Sequence, residues 1–202
     1  IAGLIAPTKG EIWVNGKQVV GPGAERAFVF QDFALLPWAN VLRNVAFGLE
    51  LRGLAKDERE SIASKYIDEV GLGNFVGSYP HQLSGGMRQR VGLARAFAVD
   101  ADIILMDEPF SSVDEQTRRK FQEELLVLLR QKQNSVFFVT HSIEEAAYLS
   151  DSIVLLSPRP EKVSKILRPQ IVREGSGPDE IRRNKVYLDT VDEIWQILKR
   201  YV

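Results

Sequence analysis

The chain has 202 residues, of which 45% are hydrophobic and 26% charged, and its 26 basic and 27 acidic residues nearly cancel. This length allows one full domain with a real core and a small extra lobe, and the balanced charge argues against a nucleic-acid partner. The absence of cysteine excludes disulfides, thiol catalysis and thiolate metal sites. No apolar stretch approaches the roughly 18 residues that span a bilayer.

The N-terminal residues predict a helix end, a turn and a hairpin. Residues 1–5 are apolar and stop before Pro7 and Gly10, which is typical of a last helical turn. Asn15-Gly16 separates residues 11–14 from 17–20, and this dipeptide favours the positive φ angles of a two-residue hairpin turn. Because the chain starts at Ile1 rather than Met, inside a predicted helix, we expect its natural beginning to lie upstream.

Four short apolar runs predict the strands of a sheet: residues 27–30, 103–106, 136–139 and 153–156. None alternates with polar residues, which is the pattern of strands buried on both faces of a parallel sheet. Helical patterns are predicted at residues 40–52, 57–70, 87–99, 115–132 and 143–149. The last helix has Ser142 and Glu145 in the positions of a capping box. Strands that alternate with helices in this way predict an α/β fold.

The C-terminal part predicts a linker and a helix. Residues 168–183 are rich in Arg, Pro, Gly and Glu and predict a surface linker. Apolar residues then recur every three or four positions, at Leu188, Val191, Ile194, Trp195, Leu198 and Tyr201. This spacing predicts an amphipathic helix that must pack on another surface.

Polar side chains follow three of the predicted strands: Gln31, the pair Asp107-Glu108, and His141. Ligands of open parallel sheets bind at the carboxyl ends of the strands, so these side chains are expected to converge there. An acid at a strand tip can hold Mg²⁺, and a second acid can act as general base toward water. The alternatives are a strand that ends in two solvated acids and a packed or surface histidine. His81, the other histidine, is interpreted as structural.

Ser84-Gly85-Gly86 before a predicted helix favours an anion site. Serine can cap the helix, and the glycines let backbone N–H groups approach phosphate oxygens at the positive helix end. Asp114, which follows Ser111-Ser112-Val113, can cap the next helix. A G-x-x-x-x-G-K-[ST] phosphate loop is missing from the 202 residues.

The string LSGGMRQR at residues 83–90 resembles the signature motif of ATP-binding-cassette (ABC) ATPases, and the run into Asp107-Glu108 resembles their Walker B motif. This resemblance implies a P-loop NTPase (RecA-like) parallel sheet flanked by helices, with a small all-α signature subdomain and a truncated N-terminus. The family's usual glutamine at the fifth signature position is Met87 here. The Ser84 hydroxyl and the glycine amides remain, so we expect little loss.

The resemblance also implies roles for the residues. Glu108 would be the general base, His141 would contact the γ-phosphate of ATP, and Gln31 would touch Mg²⁺ and the attacking water. Asp107 and Gln31 would be the Mg²⁺ residues. Ser84, Gly85 and Gly86 of one copy would cover ATP bound to a second copy, with Asp114 at the interface between them.

The expected domains follow the family pattern. Residues 1–37 and 82–160 would form a nucleotide-binding core that lacks Walker A, and residues 38–81 a helical subdomain. Residues 161–202 would form a C-terminal linker and helix. The segment from Ile1 to Gly10 looks like the one that follows the Walker A helix. The glycine-rich loop, the central strand and the aromatic residue that stacks on adenine are therefore expected just upstream.

Three less specific features resemble those of importers of the nitrate, sulfonate and taurine type. They are residues 79–82, residues 156–160 and the tail helix with Trp195. This implies the ATP-hydrolysing subunit of an ABC importer, peripheral on the cytoplasmic face of the plasma membrane. Its partners would be a second copy of itself, transmembrane permease subunits and, indirectly, a solute-binding protein, with no nucleic acid.

Two alternatives remain. A soluble ABC ATPase of DNA repair or translation is disfavoured, because the interval between Gln31 and Ser84 is too short for long coiled coils and the chain has one cassette. A non-catalytic fragment or assembly module is suggested by the missing Walker A loop. The presence of Ser84, Glu108 and His141 argues against a site that has lost its function. We nevertheless expect the 202 residues alone to be inactive.

Overall fold

The strands and helices form two compact units along the chain. In the computed structural model these units are Ile1–Val139 and Thr140–Val202. The structure describes residues 1–111, 115–131, 134–159, 162–173 and 175–201, with Gln116 and Gln131 described by their backbone alone. No helix among the described residues is both long enough and apolar enough to cross a lipid bilayer.

The first unit begins with an irregular segment and a hairpin. The hairpin prediction is confirmed: β1 (Trp13–Val14) pairs antiparallel with β2 (Lys17–Gln18), and Asn15 and Gly16 have φ angles of 49° and 73°. The helix end predicted at residues 1–5 is wrong. Gly3 has a φ of 79°, and a Cβ at that position would overlap the carbonyl group of Gly21, so the chain bends there instead of continuing a helix.

Three parallel strands form the sheet of the first unit in the order β3 (Arg26–Val29), β4 (Ile103–Asp107) and β5 (Ser135–Val139). On one face Ala27, Val29, Ile104 and Met106 are buried. On the other face Phe137 and Val139 remain 49% and 56% exposed. The prediction that all strands are buried on both faces is therefore wrong for β5, which lies at the edge of this sheet.

The described residues of the first unit include four α-helices, each within about two residues of its predicted bounds. They are α1 (Val41–Leu51), α2 (Lys56–Glu69), α3 (Gly85–Ala98) and α4 (Glu115–Gln131). The first three pack on one another and α3 also packs on β3. Short 3-10 turns at Gly73–Phe75 and Pro80–Gln82 lead from α2 to α3. Helix α4 buries Phe121, Leu125 and Leu126.

The second unit is built on an antiparallel pair. It contains α5 (Ile143–Leu149), β6 (Ile153–Leu156), β7 (Val163–Leu167), α6 (Pro178–Arg183), α7 (Lys185–Leu198) and a final 3-10 turn. Strand β6 pairs antiparallel with β7, so its prediction as a parallel strand buried on both faces is wrong. The linker prediction for residues 168–183 is wrong where α6 forms, and β7 is an additional strand.

The predicted C-terminal helix is present as α7, with a different buried face. Ile194 packs with Ile153, Leu155 and Leu167 of the β6–β7 pair. Tyr187 and Thr190 complete the buried stripe, while Trp195 is 56% exposed. Thr190 can be buried because its hydroxyl donates to the carbonyl of Val186 at 2.6 Å.

Candidate functional site

The residues predicted to follow β3 and β4 lie at one edge of the sheet. The register pairs Val29 with Met106, and Met106 with Phe138. Gln31 comes two residues after β3 ends, Asp107 ends β4, and Glu108 follows it. Because the strands are parallel and in register, the structure brings Gln31, Asp107 and Glu108 to the same carboxyl edge of the sheet.

The backbone of Glu108 is held in an uncommon conformation. Its φ angle is 43°, a region that few non-glycine residues adopt. Its N–H donates to the carbonyl of Val139 at 2.9 Å, and its own carbonyl accepts from the N–H and the hydroxyl of Ser111 at 3.1 and 3.0 Å. These bonds offset the cost of the strained φ angle and fix where the half-buried carboxylate leaves the sheet edge.

The start of α3 has the geometry of an anion site. Ser84 is exposed, and its Oγ caps the helix by accepting from the N–H of Met87 at 3.2 Å. Gly85 and Gly86 form the first turn, where backbone N–H groups are not used within the helix. This helix end can therefore offer both a hydroxyl and backbone donors to a phosphate group.

His141 lies at the start of the second unit, in the exposed loop between β5 and α5. Thr140 shapes this loop, because its hydroxyl donates to a Glu145 carboxylate oxygen at 2.5 Å and accepts from the N–H of Ser142 at 3.0 Å. Ser142 caps α5, but the return bond of the predicted capping box is replaced by the Thr140 contact. The proximity of His141 to Glu108 stays a prediction.

Two other predictions concern Asp114 and His81. Asp114, with Ser112 and Val113, lies outside the described residues. His81 lies on the Pro80–Gln82 turn with its ring stacked on Tyr79, the centroids 5.9 Å apart. This contact accounts for His81 without any role in a site.

Sequence reasoning missed two polar residues of α3 that reach the loops at the sheet edge. Gln89 is fully buried, and its Nε2 donates to the carbonyl of Pro109, which follows Glu108. Arg95 binds carbonyls of the loop after Gln31. The available signal for Gln89 was its position four residues before the buried Leu93, which places a polar residue on the inner face of a helix.

The described residues offer few protein ligands for a metal ion. No group of three or more His, Asp or Glu side chains within the described ranges is placed to hold one. Asp107 still supplies a carboxylate at a strand tip, and Mg²⁺ retains several waters and binds through one or two carboxylates together with substrate phosphates. The oxygen donors at this edge therefore fit Mg²⁺ in the presence of a nucleotide.

The sequence and the fold resemble those of known proteins. Residues 1–111 match the ABC transporter family. An uncharacterised ABC transporter ATP-binding protein of Methanocaldococcus jannaschii is 53% identical over 98% of this chain and 73% of its own length. The nitrate import ATP-binding protein NrtD of Synechocystis is 42% identical, over 98% and 76%. The taurine import ATP-binding protein TauB of Chromobacterium violaceum is 48% identical, over 91% and 70%.

Solved structures agree with these relatives. A dimeric ATP-binding cassette in a post-hydrolysis state with ADP and Pi has a TM-score of 0.69 and 29% identity, and the match covers 82% of this chain and 75% of that one. Another dimeric structure, of a bacterial ABC transporter cassette, has a TM-score of 0.71, 30% identity and the same coverage. The fold is that of a P-loop NTPase. The chain belongs to the ABC transporter ATP-binding family.

Proposed function

We propose that this protein is the ATPase subunit of an ABC importer and couples ATP hydrolysis to the uptake of a small oxyanion or sulfonate. The observation that carries the proposal is the shared sheet edge of Gln31, Asp107 and Glu108, with the Glu108 backbone held by Val139 and Ser111. The relatives named for nitrate and taurine import support the class of solute.

In the proposed reaction, water attacks the γ-phosphorus of ATP in line with the bond to the leaving oxygen. Glu108 accepts a proton from the water, the bond between the γ-phosphorus and the β–γ bridging oxygen breaks, and ADP and phosphate leave. Gln31 orients the water and His141 donates to a γ-phosphate oxygen. Catalysis of this type depends mostly on positioning and on stabilising the charge of the transferring group.

Asp107 and Gln31 are the proposed Mg²⁺ residues. When bound, Mg²⁺ would neutralise charge on the β- and γ-phosphates. The part of this chain is to present the Asp107 carboxylate and the Gln31 amide oxygen at the sheet edge. Their strands are adjacent and in register, so the two residues lie at the same edge of the sheet.

The proposed active form is a homodimer arranged head to tail. Ser84, Gly85 and Gly86 of one copy would contact the γ-phosphate of ATP bound to the other copy, and Asp114 would lie at the interface. The exposed Ser84 and the unused N–H groups beside it support this arrangement, because they leave α3 with donors directed outward. Both structural relatives are described as dimeric.

The helical subdomain at residues 38–81 is the proposed docking surface for a permease, on the cytoplasmic face of the membrane. Trp38 and Tyr79 are 71% and 42% exposed there, and exposed aromatic side chains are frequent anchors of protein interfaces. Residues 31–84, all described, contain two helices and short turns rather than a long coiled coil. This favours transport over a function in DNA repair.

The test of this function is Glu108→Gln in the full-length protein, with Glu115→Gln as matched control. Glu115 is an exposed acid at the start of α4 that pairs with Arg119 on its own helix. We expect Glu108→Gln to lower Mg-dependent ATP turnover at least about 100-fold, because the base is lost, with ATP binding retained. Glu115→Gln should keep full turnover.

Turnover that survives Glu108→Gln would remove Glu108 as the base. A loss of turnover in both variants would point to misfolding rather than chemistry, which thermal unfolding of the same samples detects. Transport of nitrate, sulfonates and taurine in vesicles that contain the complete importer then distinguishes the solutes.

A further inference from the structure

The turn that follows Gln31 is held by a guanidinium group from α3. Arg95 Nη2 donates to the carbonyl of Phe33 at 2.6 Å, and Nη1 donates to the carbonyl of Ala34 at 2.8 Å. Phe33 and Ala34 are the second and third residues after Gln31. One side chain of the signature helix therefore binds two consecutive carbonyls of the loop that carries a proposed catalytic residue.

This turn has a conformation that needs support. Phe33 and Ala34 have φ angles of 61° and 43°, and consecutive non-glycine residues seldom adopt positive φ. Two short local bonds stabilise it from within, from the N–H of Phe33 to the carbonyl of Phe30 at 2.9 Å and from the N–H of Ala34 to the carbonyl of Asp32 at 2.7 Å. A conformation of this kind persists when surrounding structure supports it, so contacts from outside the turn are expected to contribute.

Helix α3 supplies those contacts at two of its residues. Phe33 is buried, and a Cβ added to Gly92 would lie 3.5 Å from the Phe33 Cβ, so the helix surface touches the turn directly. Arg95 lies three residues further along the helix and binds the same turn through its planar fork, which suits two adjacent carbonyl oxygens. Burial lowers the pKa of the Arg95 guanidinium, because desolvation disfavours the charged form.

We propose that Arg95 is a positioning residue, which fixes the turn after Gln31 to the signature helix and so places the Gln31 amide for hydrolysis. The helix that begins at Ser84 would thereby control the position of Gln31 in the same subunit. The proposal rests on the function proposed above. It adds that the signature helix and Gln31 move as one body.

The first experiment is a double-mutant cycle in the full-length protein with Arg95→Gln and Gln31→Ala. We expect Arg95→Gln to lower kcat about 10-fold with the KM for ATP unchanged, since two charge-assisted hydrogen bonds to the turn are lost. In the Gln31→Ala background, Arg95→Gln should lower kcat less than about two-fold, because the residue through which it acts is absent. Arg95→Lys, which keeps the charge but lacks the fork, should resemble Arg95→Gln.

Arg90→Gln is the matched control. Arg90 lies on the same helix and also donates to a backbone carbonyl, that of Val70 at 2.9 Å, but in a different part of the fold. Any effect of this variant on kcat reports a general loosening of α3, and it should be the same with Gln31 or Ala at position 31.

The second experiment is hydrogen exchange at the amides of Phe33 and Ala34, which needs no turnover. Exchange should speed up in Arg95→Gln, or in Arg95→Lys if the glutamine variant does not fold, and stay unchanged in Arg90→Gln. Unchanged exchange in the Arg95 variants would show that Arg95 does not hold the turn after Gln31. This outcome would stand even if Glu108→Gln had confirmed the proposed ATPase activity. An equal loss of kcat in both backgrounds, or full turnover in Gln31→Ala, would overturn the proposed effect of Arg95 on catalysis.

Discussion

At the scale of single residues, Gly86 combines a packing contact with a proposed phosphate contact. A Cβ at this position would lie 3.2 Å from two ring carbons of Phe121 on α4, which is closer than side chains normally approach. The missing side chain therefore lets α3 and α4 approach each other, and the proposed function assigns the backbone N–H of the same residue to a phosphate. A side chain at this position would push against the Phe121 ring.

The two contacts can be separated by Gly86→Ala with and without Phe121→Leu. We expect Gly86→Ala to lower the free energy of unfolding by about 1–3 kcal/mol through overpacking. Phe121→Leu should recover part of that stability. It should not restore the ATP turnover that Gly86→Ala is expected to lose through the proposed phosphate contact. Gly77→Ala is the control, because its Cβ would meet nothing within 4 Å and should change stability little. Urea unfolding measures the stabilities, and equal stability of Gly86→Ala and wild type would contradict the packing argument.

The sequence was sufficient to predict residue positions that depend on local pattern. Gln31 and the pair Asp107-Glu108 could be placed at a sheet edge because each directly follows an apolar run. Arg95 could not be predicted, because its partner carbonyl at Phe33 lies 62 residues away in the chain. Main-chain carbonyls carry no signal in the sequence, so a side chain that binds them is recognised only once the helix and the loop are in place.

At the scale of elements, α3 depends on Ser84 in two ways. Its Oγ accepts from the N–H of Met87 at 3.2 Å and so caps the helix, and the proposed function assigns the same hydroxyl to the phosphate of a second subunit. A good cap at this position must accept a hydrogen bond, whereas a phosphate contact requires a group without negative charge. An acidic residue meets the first requirement but not the second.

Ser84→Asp and Ser84→Ala should therefore differ in their effects on stability and on dimer formation. Aspartate is as good an N-cap as serine, so Ser84→Asp should keep the stability of the protein, while Ser84→Ala should lose about 1 kcal/mol. Only the carboxylate would repel ATP bound to the facing subunit, so Ser84→Asp should prevent ATP-driven dimer formation. Thermal unfolding and size-exclusion chromatography with MgATP measure the two effects. An Asp variant that dimerises normally with ATP would contradict the proposed contact.

Element bounds were predicted well where caps and periodicity are local. Ser84, Ser142 and the strand ends at Asp107 and Val139 fall where expected. The pairing of β6 with β7 was not foreseen, because it depends on which strand is available in space. The buried face of α7 was likewise decided by the β6–β7 surface, which accepts Ile194 and leaves Trp195 exposed.

At the scale of the whole molecule, the sheet of the first unit leaves apolar surface in contact with water. Phe137 and Val139 lie two residues apart on β5, so they project from the same face, and both are about half exposed. Strand β5 is also at the edge of this sheet. Exposed apolar edges of this kind are common sites of association between chains.

The 202 residues expressed alone should therefore self-associate, and Phe137→Lys should reduce that association. A charge on this face opposes both burial against a second chain and pairing along the β5 edge, as charged residues do at the edges of natural sheets. Val127→Lys is the matched control, because Val127 is 52% exposed on α4 rather than on the sheet. Light scattering across a concentration series measures the apparent mass, and thermal unfolding checks that each variant is folded. If Val127→Lys lowered the apparent mass as much as Phe137→Lys, net charge rather than the sheet face would govern association.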